Sequence, residues 1–230
     1  MCGRFTQDFS YADLHAYFNF FGQPLGNMEP RYNICPTQQI CVVLSTETVH
    51  TLERMRWGLV PSWWQRPLKE LPATFNARAE TVSEKPTFRS AFRARRCIIP
   101  ASGTYEWQSV ADGKQPWYFT PTNGPLFLIA GLWEAWTNPH SPQEKVHSTT
   151  MIITEANQFV GQYHDRMPVL LQREDMADWL SGKKGDELLK PAANDVLKAH
   201  RVSRAINSSK AKDEHTLIKE VEPKQSLLDF

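Results

Sequence analysis

What the chain lacks narrows it first. Within its 230 residues no apolar run approaches the roughly 20 needed to cross a bilayer. Its first residues, Met1-Cys2-Gly3-Arg4-Phe5, show no charged-then-apolar secretory pattern. Charge of one sign is missing too: 26 Lys and Arg against 25 Asp and Glu leave a net charge of +1. A global positive field is therefore absent, and affinity for nucleic acid has to come from a local patch. The cysteines Cys2, Cys35, Cys41 and Cys97 form no C-x-x-C pair, which argues against structural zinc. Repeats and low-complexity tracts are also absent. The expectation is a cytoplasmic protein with reduced thiols, no metal, no cofactor and no membrane partner.

What is present suits a globular domain. Hydrophobic residues make up 41% and charged residues 22%, and the length supports one substantial core. The eight tryptophans are many for this length, and such rings either pack cores or offer flat surfaces to bases.

Apolar spacing predicts a helix over 9–21. Strands are expected over 40–44, 48–57, 97–100, 104–108, 117–120, 126–130 and 149–154. Gly103, Asp112-Gly113 and Asn123-Gly124 supply turns, the last two as hairpins. Short helices are read over 86–96 and 175–180, and another over 186–197 with Pro191 interrupting it. Strands outnumber helices and do not alternate with them. The fold class is α+β, a single domain with a mainly antiparallel β-sheet or barrel-like core flanked by short helices. That domain is expected over 1–209, with 210–230 a polar C-terminal tail.

The residue that points most directly to chemistry is Cys2. Removal of Met1 would give it a free α-amine and a thiol on adjacent carbons. The reference α-amine titrates near about 7.7–8.0, so part of it is neutral at physiological pH. A neutral amine attacks an aldehyde to give a Schiff base. The neighbouring thiol then closes onto the imine carbon to form a thiazolidine. Three segments add suitable groups: Asn76-Ala77-Arg78-Ala79-Glu80, Gly103-Thr104-Tyr105-Glu106-Trp107 and His164-Asp165-Arg166-Met167-Pro168. If Tyr105 and Trp107 face one side of a strand, Glu106 faces the other. Histidine titrates near neutrality and suits proton transfer. A capping asparagine, an exposed strand carboxylate and a structural histidine are the competing readings of these residues.

These segments occur in order with Arg31-Tyr32-Asn33, Trp57-Gly58-Leu59-Val60-Pro61-Ser62-Trp63 and Val202-Ser203. Together they resemble the SOS-response-associated peptidase family, whose members sense and crosslink abasic sites in DNA. The resemblance runs from residue 2 to about residue 209. It implies that Cys2 forms a thiazolidine with the ring-opened abasic sugar and that Asn76 holds the amine and the sugar. It also implies Glu106 as general acid and base, and His164 as a proton donor to the sugar ring oxygen or an aid to strand cleavage and crosslink reversal. Arg4, Arg78 and Arg166 match positions near phosphates. The implied partner is single-stranded DNA carrying abasic sites, including DNA at replication forks. Nothing in the sequence demands an oligomer, and a monomer is expected.

Other DNA contacts are read from the residues themselves. Trp63 and Trp64, beside Pro61, and Trp107 are candidate stacking rings, with core packing as the alternative. Arg89, Arg93, Arg95 and Arg96 form a basic cluster in which Arg93 and Arg96 are spaced to share a helical face. Two other functions stay open: a cysteine peptidase limited to removing its own Met1, and a non-catalytic reader of modified bases.

Overall fold

The computed structural model describes residues 2–18, 28–46 and 49–222. In chain order the elements are β1 (Phe5–Gln7), α1 (Tyr11–Phe18), β2 (Arg31–Ile34), β3 (Gln39–Thr46), β4 (Val49–Trp57), β5 (Asn76–Arg78), α2 (Arg89–Ala94) and β6 (Arg96–Ala101). They continue with β7 (Gly103–Val110), β8 (Gly113–Pro121), β9 (Phe127–Asn138), β10 (Ser141–Glu155), β11 (Arg166–Pro168), α3 (Met176–Ser181) and β12 (Leu197–Arg201).

The strands form two sheets. One runs β12-β8-β7-β1-β2, with every pairing antiparallel. The other runs β11-β10-β4-β3-β6-β9, and β9 pairs back onto β10. That last pairing closes β10, β4, β3, β6 and β9 into a five-stranded barrel. Closure removes the free edges that an open sheet would have to protect. Only β4 and β5 lie parallel to their neighbour β10. The α+β, mainly antiparallel, barrel-like architecture is therefore the one the sequence implies.

Burial explains the strand patterns. In β9 the run Phe127–Leu132 is buried at every position, because both faces are covered. One face joins Cys2, Phe5, Trp57, Ile99, Ile129 and Met151 in a core. The other packs on α2 and α3 through Phe92, Leu128, Ala130, Leu132 and Trp179. Val110 pairs with Gly113, so Ala111-Asp112 is a two-residue hairpin loop and Gly113 takes φ +123°.

Several local expectations need correction. Asn123-Gly124 is not a hairpin: β8 and β9 belong to different sheets, and this segment carries the chain from one to the other. Gly103 is not a turn but a strand residue opposite Thr6, where a Cβ would lie 2.3 Å from the Tyr118 ring. The helix over 86–96 is only Arg89–Ala94, and Arg96 opens β6. No helix fills 186–197. Two 3-10 turns, Asp186–Leu188 and Asn194–Val196, flank an irregular stretch, and Leu197 enters β12. Pro191 lacks an amide donor and clashes with a preceding helical turn. Asn157 Nδ2 then captures the Ala192 carbonyl at 2.9 Å. The first helix covers Tyr11–Phe18, and Phe21 lies outside the described residues.

The segment after residue 209 packs onto the domain as far as it is described. Leu217 is buried, and Val221 N–H donates to the Arg201 carbonyl at 2.9 Å. Asp213 accepts from the backbone N–H groups of Tyr32 and Asn33.

Candidate active site

The antiparallel register of β1 on β7 builds the site. Phe5 lies opposite Thr104, and Tyr105 N–H donates to the Arg4 carbonyl at 3.0 Å. Continuing that register carries the chain's start alongside Glu106. There Cys2 is buried at 1% exposure and its thiol hydrogen-bonds to the Glu106 carboxyl. Burial, then the Glu106 charge, push the thiol well above its usual range.

Glu106 is 3% exposed. Burial pushes its carboxyl up to about 7, opposed by the positive amino terminus and by the hydrogen bond from Cys2. Asp165 adds a smaller upward push. Behind the carboxyl lies a narrow space lined by Phe119, Phe127, Val160, Met167 and Leu197, with Thr104 as another polar neighbour. Apolar walls on this scale account for the desolvation. A carboxyl held near 7 is half protonated at neutrality, so it both gives and takes protons there.

Asn76 comes from β5, which pairs with the far end of β10: Asn76 lies opposite Met151 and Arg78 opposite Ile153. Asn76 Nδ2 donates to the Cys2 carbonyl at 3.0 Å, while its Oδ1 is buried without a partner. The same end of β10 carries β11, with Glu155 opposite Arg166. His164 sits just before β11, after a 3-10 turn over Val160–Gln162. Its Nδ1 accepts from Arg166 N–H at 3.0 Å, and Asp165 Oδ1 is also 3.0 Å away. Burial and then the amino terminus hold its pKa below the usual value, against Asp165. The ring is therefore neutral at pH 7. The Cys2 thiol meets Glu106, Asn76 holds the Cys2 carbonyl, and Asp165 beside His164 acts on the Glu106 carboxyl, so the four segments meet at one place.

The candidate phosphate contacts are distributed around this centre. Arg4 Nη1 donates to Asn33 Oδ1 at 2.6 Å and to the Ile206 carbonyl at 3.0 Å. Arg78 is exposed. Arg166 on β11 forms an ion pair with Glu80, in the 3-10 turn that follows β5. Glu80 and Asp165 carry no sign of a role in the sequence. Each lies inside a motif, but only the fold shows which cation or ring it faces.

The tryptophans divide. Trp63 is 52% exposed, the large hydrophobic residue most open to solvent among the described ones. Trp64 turns inward against Val60 and Trp136, and the Trp136 Nε1–H donates to its carbonyl at 2.7 Å. Trp107 is half-buried, donates to Asn207 Oδ1 at 2.7 Å, and lies under the Arg4 guanidinium. The basic cluster also splits. Arg89 and Arg93 are exposed on α2. Arg95 pairs with buried Glu134 at 2.7 Å. Arg96 does not share a helical face with Arg93: it lies 4.6 Å from the ring centres of both Phe92 and Trp179. Half of the cluster is thus committed to packing.

The chain is similar to known proteins in both sequence and fold. The chain is 38% identical over 217 residues to the abasic site processing protein YoqW of Bacillus subtilis (strain 168), covering 91% of this chain and 96% of that one. It is 32% identical over 216 residues to the abasic site processing protein HMCES of Xenopus tropicalis, covering 79% of this chain and 64% of that one. A crystal structure of a protein from Bacteroides thetaiotaomicron shares the fold, with a TM-score of 0.86 at 22% identity, over 96% of this chain and 100% of that one. The sequence model of the SOS response associated peptidase family matches residues 1–209, and the chain belongs to that family.

Proposed function

We propose that this protein senses abasic sites in single-stranded DNA and bonds to them through Cys2, once Met1 has been removed. The observation that carries the reading is the buried Cys2 thiol hydrogen-bonded to a Glu106 carboxyl poised near 7, with Asn76 gripping the Cys2 carbonyl. The names of the relatives, abasic site processing proteins, agree with it.

The chemistry follows from these groups. The abasic sugar opens when its anomeric hydroxyl loses a proton and its ring oxygen gains one, a donation suited to the His164 imidazole. The neutral α-amine of Cys2 adds to the aldehyde carbon. Protonated Glu106 gives its proton to the resulting hydroxyl, which leaves as water, and an iminium remains. The Glu106 carboxylate then takes the thiol proton, and the Cys2 sulfur adds to the iminium carbon. One water is released, one thiazolidine forms and Glu106 ends protonated, as it began. Amine and thiol sit on one residue, so ring closure is intramolecular and entropically favoured. A β-elimination at the same iminium would give lyase activity.

A peptidase working on other chains fits the site less well. A thiol peptidase could place its cysteine anywhere in the chain, whereas a reagent that uses amine and thiol together needs its cysteine first. Incubating the mature protein with single-stranded DNA bearing one abasic site is expected to give a species that survives heat and detergent, heavier by the DNA less one water. Cys2→Ala is expected to give none, and normal crosslinking by that variant would overturn the reading. Retaining one extra residue before Cys2 should be equally damaging. Normal activity there would point to the thiol alone and favour peptidase chemistry.

A further inference from the structure

Arg4 is anchored more heavily than an exposed arginine at a strand end. Its Nη1 makes both bonds already described, and its guanidinium carbon lies 5.7 Å from the centre of the Trp107 ring. Its acceptor, Asn33, is only 4% exposed and is itself locked. Asn33 Nδ2 donates to the Ala211 carbonyl at 2.9 Å, and Asn33 N–H donates to Asp213 Oδ1 at 2.9 Å. With the amide nitrogen committed to a carbonyl, the amide oxygen has to face Arg4. The clamp also has a cost: Arg4 Nε is buried without a partner. Both bonds use Nη1, which leaves the Nη2 edge of the guanidinium for a ligand. Arg4 stands two residues along the chain from Cys2, so a guanidinium fixed here fixes an anion next to the nucleophile.

We infer that Asn33 is a positioning residue: it aims the Arg4 guanidinium at one phosphate flanking the abasic sugar and so sets the sugar's register against Cys2. This deepens the reaction proposed above and rests on it. The residues that lock Asn33, Ala211 and Asp213, lie beyond the 1–209 stretch that defines the family match. The described C-terminal segment thus acts as a brace behind the site.

The test uses three single-stranded oligonucleotides with one internal abasic site: native, and with a neutral methylphosphonate at either its 5′ or its 3′ linkage. One of the two neutral linkages is expected to slow crosslinking by the mature protein about tenfold, the effect of one charge-assisted hydrogen bond. In Asn33→Ala, checked for folding by circular dichroism, the native oligonucleotide is expected to react slowly and that linkage effect to vanish, as in Arg4→Ala. Adding Asn33→Ala to Arg4→Ala should slow the reaction no further. Asn33→Asp keeps an acceptor for Arg4 but neutralises its charge, so it should also erase the linkage effect, and it serves if Asn33→Ala does not fold. No linkage effect in the wild type, a full effect in either Asn33 variant, or additive losses in the double variant would overturn the inference. Failure of the wild type to react with the native oligonucleotide would instead sink the proposed reaction itself.

Discussion

Asn76 Nδ2 donates to the Cys2 carbonyl at 3.0 Å and so ties the second residue of the chain to a strand 74 positions away. The bond holds Cys2 by its backbone and leaves its side chain to face Glu106. Asn76→Asp replaces that donor with an acceptor facing a carbonyl oxygen. Crosslinking is expected to slow by about tenfold or more, since a buried carbonyl loses its partner and gains a repulsive neighbour. Single-turnover rates on an abasic oligonucleotide, at saturating protein, would show it. An unchanged rate would mean that the bond does not hold the reactive end.

Glu106 should make folding stability depend on pH. Its carboxyl is raised from 4.5 to about 7 by burial. Below 4.5 the group is protonated in both folded and unfolded chains, and its environment costs nothing. As pH rises from 4.5 through 7 the unfolded chain releases the proton more readily, so stability falls, by on the order of 3 kcal/mol. Glu106→Gln stays neutral and lacks this loss. Its Tm is expected to exceed that of the wild type at pH 8 and to approach it at pH 4. Parallel Tm curves would contradict the assignment.

The rate of crosslinking should depend on pH in a different way. It rises as the Cys2 amine loses its proton, near about 7.7–8.0 for an ordinary α-amine. It falls as Glu106 loses its acid form near 7. The product is a bell with its maximum between about 7 and 8. Glu106→Gln should remove the descending limb and lower the plateau by about a hundredfold or more, while leaving DNA affinity in a filter-binding assay largely intact.

A prediction about the scaffold concerns Gly103. A Cβ there would lie 2.3 Å from the Tyr118 ring, whose hydroxyl is 2.8 Å from Thr6 Oγ1. Gly103→Ala has to displace that ring or part β1 from β7. A loss of about 1–3 kcal/mol in urea unfolding is expected. The same shift should slow crosslinking, because β1 delivers Cys2 to Glu106. Wild-type stability in that variant would show that the ring moves freely.

The failures of sequence reading have physical causes. Segment 186–197 has helix-forming residues on both sides of Pro191, but β12 gains a full antiparallel pairing with β8 from Leu197 onward, and that tertiary gain outweighs local propensity. Asn123-Gly124 carries a hairpin signal, yet the strands on either side find their partners in separate sheets. Arg93 and Arg96 look equivalent in sequence. One faces solvent, while the other lies against Phe92 and Trp179, a difference made by the position of α3.

By itself the sequence determined the ordered motifs and the class of fold, because side-chain chemistry and periodicity are local properties of the chain. Its resemblance to a family singled out Cys2, Asn76, Glu106 and His164 without showing where they lie. Only the tertiary structure decided that Glu106 is buried rather than exposed on its strand, that Trp64 turns inward while Trp63 does not, and that Asn33 and Asp213 stand behind Arg4. Each of those outcomes depends on desolvation or on a partner far away in sequence, and pairing at long range is set by how the two sheets close on each other.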